Sequence, residues 1–347
     1  MEESAFPVTN RKSLMRPKKC FKKHIQFLIP VFFILVPVSC IYSGAKAEKL
    51  PVQSSRFQPG PLSPGDTVTP AQETPASRAE QVMKALSAAY PDRLGPAEFR
   101  NGDWAVFLAG KWFYYAEGRL LPEELRSQIT EYSGQPFYNY IAELPPWNPP
   151  DPEESERMRG MSESRSRQTV RRSQFFYEDL WRIHNGDESW ERVKQIRFLG
   201  FPVMVHYSIL VKLSLVEEKI LRESQTSAAV RQWINNINSV DGWSWRNIAD
   251  TQSRSFHAYG AAIDILPKST GGLATYWLWT SQYAPEWWAV PYSQRLHPPD
   301  EVIKAFESFG FIWGGKWTVY DTMHFEYRPE ILIYSGIPMA DLRTDLP

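Results

Sequence analysis

Cysteine is nearly absent: the 347-residue chain has two, Cys20 and Cys40. That excludes a disulfide framework and any zinc module built on several thiolates. Net charge is also absent, with 39 Lys+Arg standing against 39 Asp+Glu. The balance argues against a dedicated nucleic-acid binder, so nucleic acid is not expected as a partner. No internal repeat is visible, which sets aside solenoids and propellers. What is present is a composition that can bury a core. The chain is 43% hydrophobic and 22% charged, and its aromatic content is 14%, with 14 Trp. Wholesale disorder is excluded on those figures.

The zero charge is an average over two unlike pieces. Residues 1–47 carry eight Lys/Arg against two Glu, and the remainder carries 31 basic and 37 acidic residues. A basic run from Arg16 to Lys23 precedes an apolar stretch from about Ile25 to Val38, and a polar stretch then ends in Ala45-Lys46-Ala47. This is the order of an export signal with a small-x-small cleavage site. A retained membrane anchor and lipidation at Cys40 are the alternatives. The apolar run falls short of the ~20 residues a spanning helix needs, and Pro30 and Pro37 interrupt it. Each reading places the rest of the chain outside the bacterial cytoplasm, in the periplasm or envelope, with or without a membrane tether.

Residues 48–77 are rich in Pro, Ser, Thr and Gln and read as a flexible linker. An accessory region follows at 78–150. It holds a short helix near Ala79–Tyr90 and a β-hairpin of Trp104–Leu108 and Lys111–Ala116 around Ala109-Gly110. Pro122-Glu123-Glu124 reads as the start of another helix. Residues 151–173, with six Arg, read as a charged linker or solvated helix face. From 174 to 347 the pattern is globular. Helices are expected at Phe175–His184, Leu210–Leu221, Ala228–Ile237 and Glu301–Phe309. Strands are expected at Phe201–Tyr207, Ala261–Leu266, Phe311–Trp313 and His324–Tyr327. Helices and short strands mix without a βαβ rhythm, which predicts an α+β fold with a small antiparallel sheet and helices mainly on one face.

Five histidines follow the first segment: His184, His206, His257, His297 and His324. Two stand in settings that suggest chemistry. His257 and Asp264 lie seven apart with Gly260 between them, and a turn at Gly260 would bring the imidazole back beside the carboxylate. His324 opens a strand in which Glu326 shares its face, and Asp321 lies just before it. Two imidazoles and a carboxylate suit Zn²⁺, and three ligands leave the open position of a catalytic site. A further carboxylate, Asp321 or Glu326, would serve as general base. On spacing alone, a core histidine bonded to a buried aspartate stands as the alternative. His184 and His206 read as packing residues and His297 as a loop residue.

The flanking residues carry more. SFHAYGAAID (255–264) and FGFIWGGKWTVYDTMHFEY (309–327) resemble the zinc D-alanyl-D-alanine carboxypeptidase and L-alanyl-D-glutamate endopeptidase family of bacterial cell walls, the second motif looking most like the endopeptidase branch. The resemblance covers roughly residues 195–330. It implies a hedgehog/DD-peptidase-like zinc peptidase fold, zinc as cofactor, and peptidoglycan stem peptides as substrate. It implies His257, Asp264 and His324 as metal ligands, Asp321 as catalytic base, and Ser255 near the substrate, where a plain turn or cap is the alternative. Arg246 lies where relatives carry a substrate-facing arginine. Glu326 is expected to orient a ligand imidazole or to be a plain strand residue, and Trp313 and Trp317 to form core or cleft wall. Thr270–Pro298, with four Trp, is longer than in compact relatives and reads as a lid or a determinant of specificity.

Overall fold

The computed structural model describes residues 75–165, 167 and 170–340. The expected export segment and nearly all of the expected linker at 48–77 lie outside the described residues. No helix among the described residues is long and apolar enough to cross a membrane.

The first described helix, α1 (Pro75–Ala89), buries Val82, Met83 and Leu86 along one stripe. It is followed by β1 (Glu98–Arg100), β2 (Asp103–Leu108), β3 (Lys111–Tyr114) and β4 (Leu121–Pro122), which pair antiparallel in that order. The β2–β3 hairpin forms where the sequence predicts it. Ala109 and Gly110 both take positive φ (51° and 86°), as a two-residue loop matched to strand twist requires. After Pro122 the expected helix forms, as 3-10 turns over Glu123–Glu131. No side chain of that stretch is fully buried, so packing does not hold a longer helix there.

Next come α2 (Pro152–Arg165), α3 (Phe175–Trp181) and α4 (Gly186–Arg192), then a hairpin of β5 (Val193–Phe198) and β6 (Phe201–His206). The stretch read as linker or helix face is thus helical over 152–165, and buries Met158. Helices α5 (Leu210–Glu223) and α6 (Ala228–Asn235) lead into β7 (Ile237–Asp241) and β8 (Ala262–Pro267). A one-turn helix α7 (Trp277–Thr280), then α8 (Asp300–Ser308), β9 (Phe311–Trp313), β10 (His324–Tyr327) and α9 (Pro329–Tyr334) complete the order.

The fold is α+β. Its second sheet is antiparallel with strand order β7-β8-β10-β9. Strand β10 pairs with β8 so that His324 faces Asp264, Phe325 faces Ile263 and Glu326 faces Ala262. Residues opposite one another share a face. One face therefore takes Ile263 and Phe325 into the core, where Phe325 stacks on Phe306 of α8 at 3.8 Å between ring centroids. The other face carries His324, Asp264 and Glu326. One buried apolar cluster runs from Ala79 of α1 to Leu332 of α9, so the α1 and β1–β4 elements share the core of the elements that follow.

His206, at the end of β6, is fully buried. Its Nε2–H donates to the Trp181 carbonyl (3.1 Å) and its Nδ1 accepts from the Ser208 amide (3.2 Å). Burial without a counter-charge pushes it down from 6.5 to about 3. Between those values the unfolded chain binds the proton that the folded protein refuses, so stability falls as pH falls through the window. Over about pH 6 to 4, wild-type unfolding free energy is expected to drop about 1.4 kcal/mol per pH unit more steeply than that of His206→Gln. Urea melts at several pH values measure it, and parallel slopes would contradict this account of His206.

Candidate metal centre

His257 is held by a single tight turn. Ser255 precedes the 3-10 turn Phe256–Tyr259, and its hydroxyl accepts from the His257 amide at 3.3 Å. Gly260 closes the turn at φ +64°, and a Cβ there would lie 2.7 Å from the His206 amide nitrogen. The chain then enters β8, which carries Asp264 back past His257. Strand pairing sets the third group, His324, opposite Asp264. Donor atoms of His257, Asp264 and His324 all lie within 4.8 Å of one another.

The outward nitrogens of both rings are already committed. His257 Nδ1–H donates to the Gly242 carbonyl at 2.6 Å, and His324 Nε2–H donates to Glu326 at 3.2 Å. That leaves His257 Nε2 and His324 Nδ1 facing each other at 3.2 Å. Asp264 lies against both, Oδ2 at 3.2 Å from His257 Nε2 and Oδ1 at 2.8 Å from His324 Nδ1. Two nitrogen lone pairs and a carboxylate converging on one small space repel each other unless a positive charge sits among them. A shared proton is one such charge; a divalent cation satisfies all three donors at once.

The titration of these groups carries the same signature. Burial alone would raise Asp264, yet the two imidazoles hold it well below the usual carboxylate range. Burial alone would lower His324, yet Asp264 and Glu326 push it up to about 10. A place that holds a proton that tightly favours cations. The donor set, two imidazoles and one carboxylate with outer partners on both rings, fits a zinc ion.

Asp321 sits in the loop before β10. Its amide donates to the Gly314 carbonyl at 3.1 Å, and its carboxylate accepts from the Met323 amide at 3.3 Å. Gly314 permits this: a Cβ there would meet the Asp321 carbonyl oxygen at 2.6 Å. Burial, and then the charge of Asp264, raise Asp321 to about 6. A cleft of about 520 Å³ opens onto His257 and Asp264, with Arg246, Asp241, Trp243 and Gln195 in its walls.

Residues 249–327 match a family described as D-alanyl-D-alanine carboxypeptidase. That segment is similar to this peptidase family. The family segment holds His257, Asp264, Asp321 and His324. Residues 82–137 match a second family, described as a domain of unknown function. No curated protein and no solved structure gives a match.

Of the other residues singled out in the sequence, Arg246 does line the cleft. Ser255 is buried and its hydroxyl caps the turn. Trp313 is core, its indole donating to the Thr322 carbonyl at 2.9 Å, while the Trp317 ring stands 5.2 Å from that of His324. His206 is a packing residue as expected, but His184 is half exposed and bonded to Asp179 and Glu188. His297 lies in a loop against the Trp313 ring. The Trp-rich segment 270–298 is tied down beside Asp321: the Thr322 amide donates to the Thr275 carbonyl at 2.8 Å and that of Trp277 to the Tyr320 carbonyl at 3.0 Å. Sequence reasoning missed β5 and β7, which contribute Gln195 and Asp241 to the cleft, and the Gly242 carbonyl that fixes the His257 tautomer. A backbone acceptor leaves no signature in side-chain pattern.

Purified protein is expected to retain zinc through dialysis, and His257→Ala, Asp264→Ala and His324→Ala each to lose at least about nine-tenths of it, since a site left with two donors binds far more weakly. Elemental analysis of the dialysed proteins decides the matter; equal metal in all four would place the ion elsewhere.

Proposed function

We propose that the protein is a zinc-dependent peptidase that hydrolyses peptidoglycan stem peptides in the bacterial envelope. The observation that carries this reading is Asp321: a half-buried carboxylate raised towards neutrality beside a His-Asp-His cluster, in a segment that matches the carboxypeptidase family. A zinc ion held by His257, Asp264 and His324 supplies positive charge that polarises a peptide carbonyl and acidifies water.

The remaining work falls to side chains of this chain. Asp321 accepts the proton of the attacking water as its oxygen bonds to the carbonyl carbon. It then delivers that proton to the amine as the C–N bond breaks. A general base works best when its pKa approaches the operating pH. Arg246, in the cleft wall, holds a substrate carboxylate; its planar fork suits a bidentate contact. Stem peptides offer such carboxylates at the D-Ala terminus and on D-Glu. Action as a D,D-carboxypeptidase and as an L-alanyl-D-glutamate endopeptidase both fit that contact. Export through the N-terminal segment would bring the enzyme to its substrate.

Asp321→Asn is expected to lower kcat/KM on purified stem peptide by about 10²–10⁴ while leaving bound zinc unchanged. Hydrolysis that survives Asp321→Asn intact would refute the role of the base. A bound cation draws Asp321 down from about 6. The acid limb of wild-type kcat/KM is therefore expected between the ordinary carboxylate value and about 6, with activity lost as pH falls through it. Arg246→Gln is expected to raise KM about tenfold with kcat nearly kept. Mass analysis of the products, a lone D-Ala or a fragment cut after L-Ala, tells the two bond specificities apart.

A further inference from the structure

The His324 imidazole is the visible end of a longer chain of buried groups. Its Nε2–H donates to Glu326 Oε2, and Glu326 Oε1 accepts from the Arg328 guanidinium at 3.0 Å. Arg328 Nε donates in turn to Glu330 Oε1. Glu330 also accepts from Tyr177 (3.1 Å) and, through Oε2, from the Tyr90 hydroxyl at 2.8 Å. The third Arg328 nitrogen, Nη2, donates to the Pro136 carbonyl at 3.2 Å. Glu326, Arg328 and Glu330 are all buried, Glu330 completely. The guanidinium also lies over the Phe256 ring, 4.7 Å from its centroid, next to His257 in sequence.

Two of these contacts come from a distant part of the chain. Tyr90 and Pro136 lie in the 82–137 segment that matches a domain of unknown function. The hydrogen bond from Tyr90 to Glu330 spans 240 positions, and that from Arg328 to Pro136 spans 192. A buried carboxylate such as Glu326 needs a fixed partner to stay charged and still. His324 needs Glu326 both still and charged if its Nδ1 is to present a lone pair in one direction. Only a planar, many-donor cation can bridge Glu326, Glu330 and a carbonyl at once; an ammonium cannot.

We infer that Arg328 is a positioning residue of the metal centre, and that the 82–137 segment serves it by anchoring the Glu330–Arg328–Glu326 chain through Tyr90 and Pro136. This rests on the metal reading of His257, Asp264 and His324. It gives the 82–137 segment a role inside the catalytic unit: it sets the affinity of the site for its ion.

The experiment measures zinc affinity by chelator competition, with thermal melting of the metal-free protein alongside. It compares wild type, Glu326→Gln, Arg328→Lys, Tyr90→Phe, and Val230→Ala as a core-cavity control on α6. Glu326→Gln and Arg328→Lys are expected to weaken zinc binding about ten- to a hundredfold, and Tyr90→Phe, one bond further out, at least about threefold. Val230→Ala is expected to lower the melting temperature while keeping zinc affinity within about twofold. Should Arg328→Lys fail to fold, Tyr90→Phe, which removes one hydroxyl, decides the question alone. Variants that bind zinc like wild type, or a control that weakens binding as much as they do, overturn the inference while the metal reading stands. Wild type that binds no zinc overturns both.

Discussion

Asp264 lies between two imidazole nitrogens that cannot both be protonated against each other. This contact organises much of the second sheet and its surroundings. It demands that β8 and β10 pair in one register, because a slip of one residue would turn His324 into the core and Phe325 out. It demands that Gly260 close a turn tight enough to return the chain past His257, and that the outward ring nitrogens be occupied by the Gly242 carbonyl and by Glu326. A cation held on the polar face would resolve the repulsion that these arrangements create, while Ile263 and Phe325 bury the other face.

The acid beside the cluster is supported separately. Asp321 is positioned by backbone contacts from Gly314, and its neighbours Tyr320 and Thr322 by the Trp-rich segment. That segment packs Trp277, Trp287 and Tyr320 together with Met158 of α2 in a second small cluster. Its length therefore has a structural use. It braces the loop that aims the proposed base, and it leaves Trp279 and Tyr283 as exposed large side chains. The pieces that read from sequence as accessory and linker enter the same scaffold: α1 joins the common core and α2 reaches the bracing cluster.

Much of this was legible in the residues. The hairpin around Ala109-Gly110 announced itself through its turn, α5 and α8 through their apolar spacing, and β8 and β10 through short apolar and aromatic runs around the site residues. The proximity of His257, Asp264 and His324 followed from Gly260 and from motif flanks. Other parts were not legible, for physical reasons. Strand β5 reads VKQIRF and exposes three of its six residues, with no strict alternation to mark it. The helix after Pro122 was legible, but not its 3-10 form: Leu125 and Ile129 are only partly buried, too little packing to hold a longer α-helix. Glu326 could be suspected from its two-residue step past His324. Arg328, Glu330 and Tyr90 could not, because that chain exists only once residues 240 positions apart have packed together. Ser255 read from sequence as a substrate-side residue or a cap, and its hydroxyl accepts from the His257 amide as a cap does.

The central claim is that the space between His257, Asp264 and His324 belongs to a zinc ion. X-ray absorption at the zinc edge on the purified protein tests it most directly. The account predicts a shell of nitrogen and oxygen neighbours near 2.0–2.2 Å, outer-shell scattering from two imidazoles, and no sulfur at about 2.3 Å. A zinc-free protein, or a shell without the scattering of two imidazoles, would contradict it.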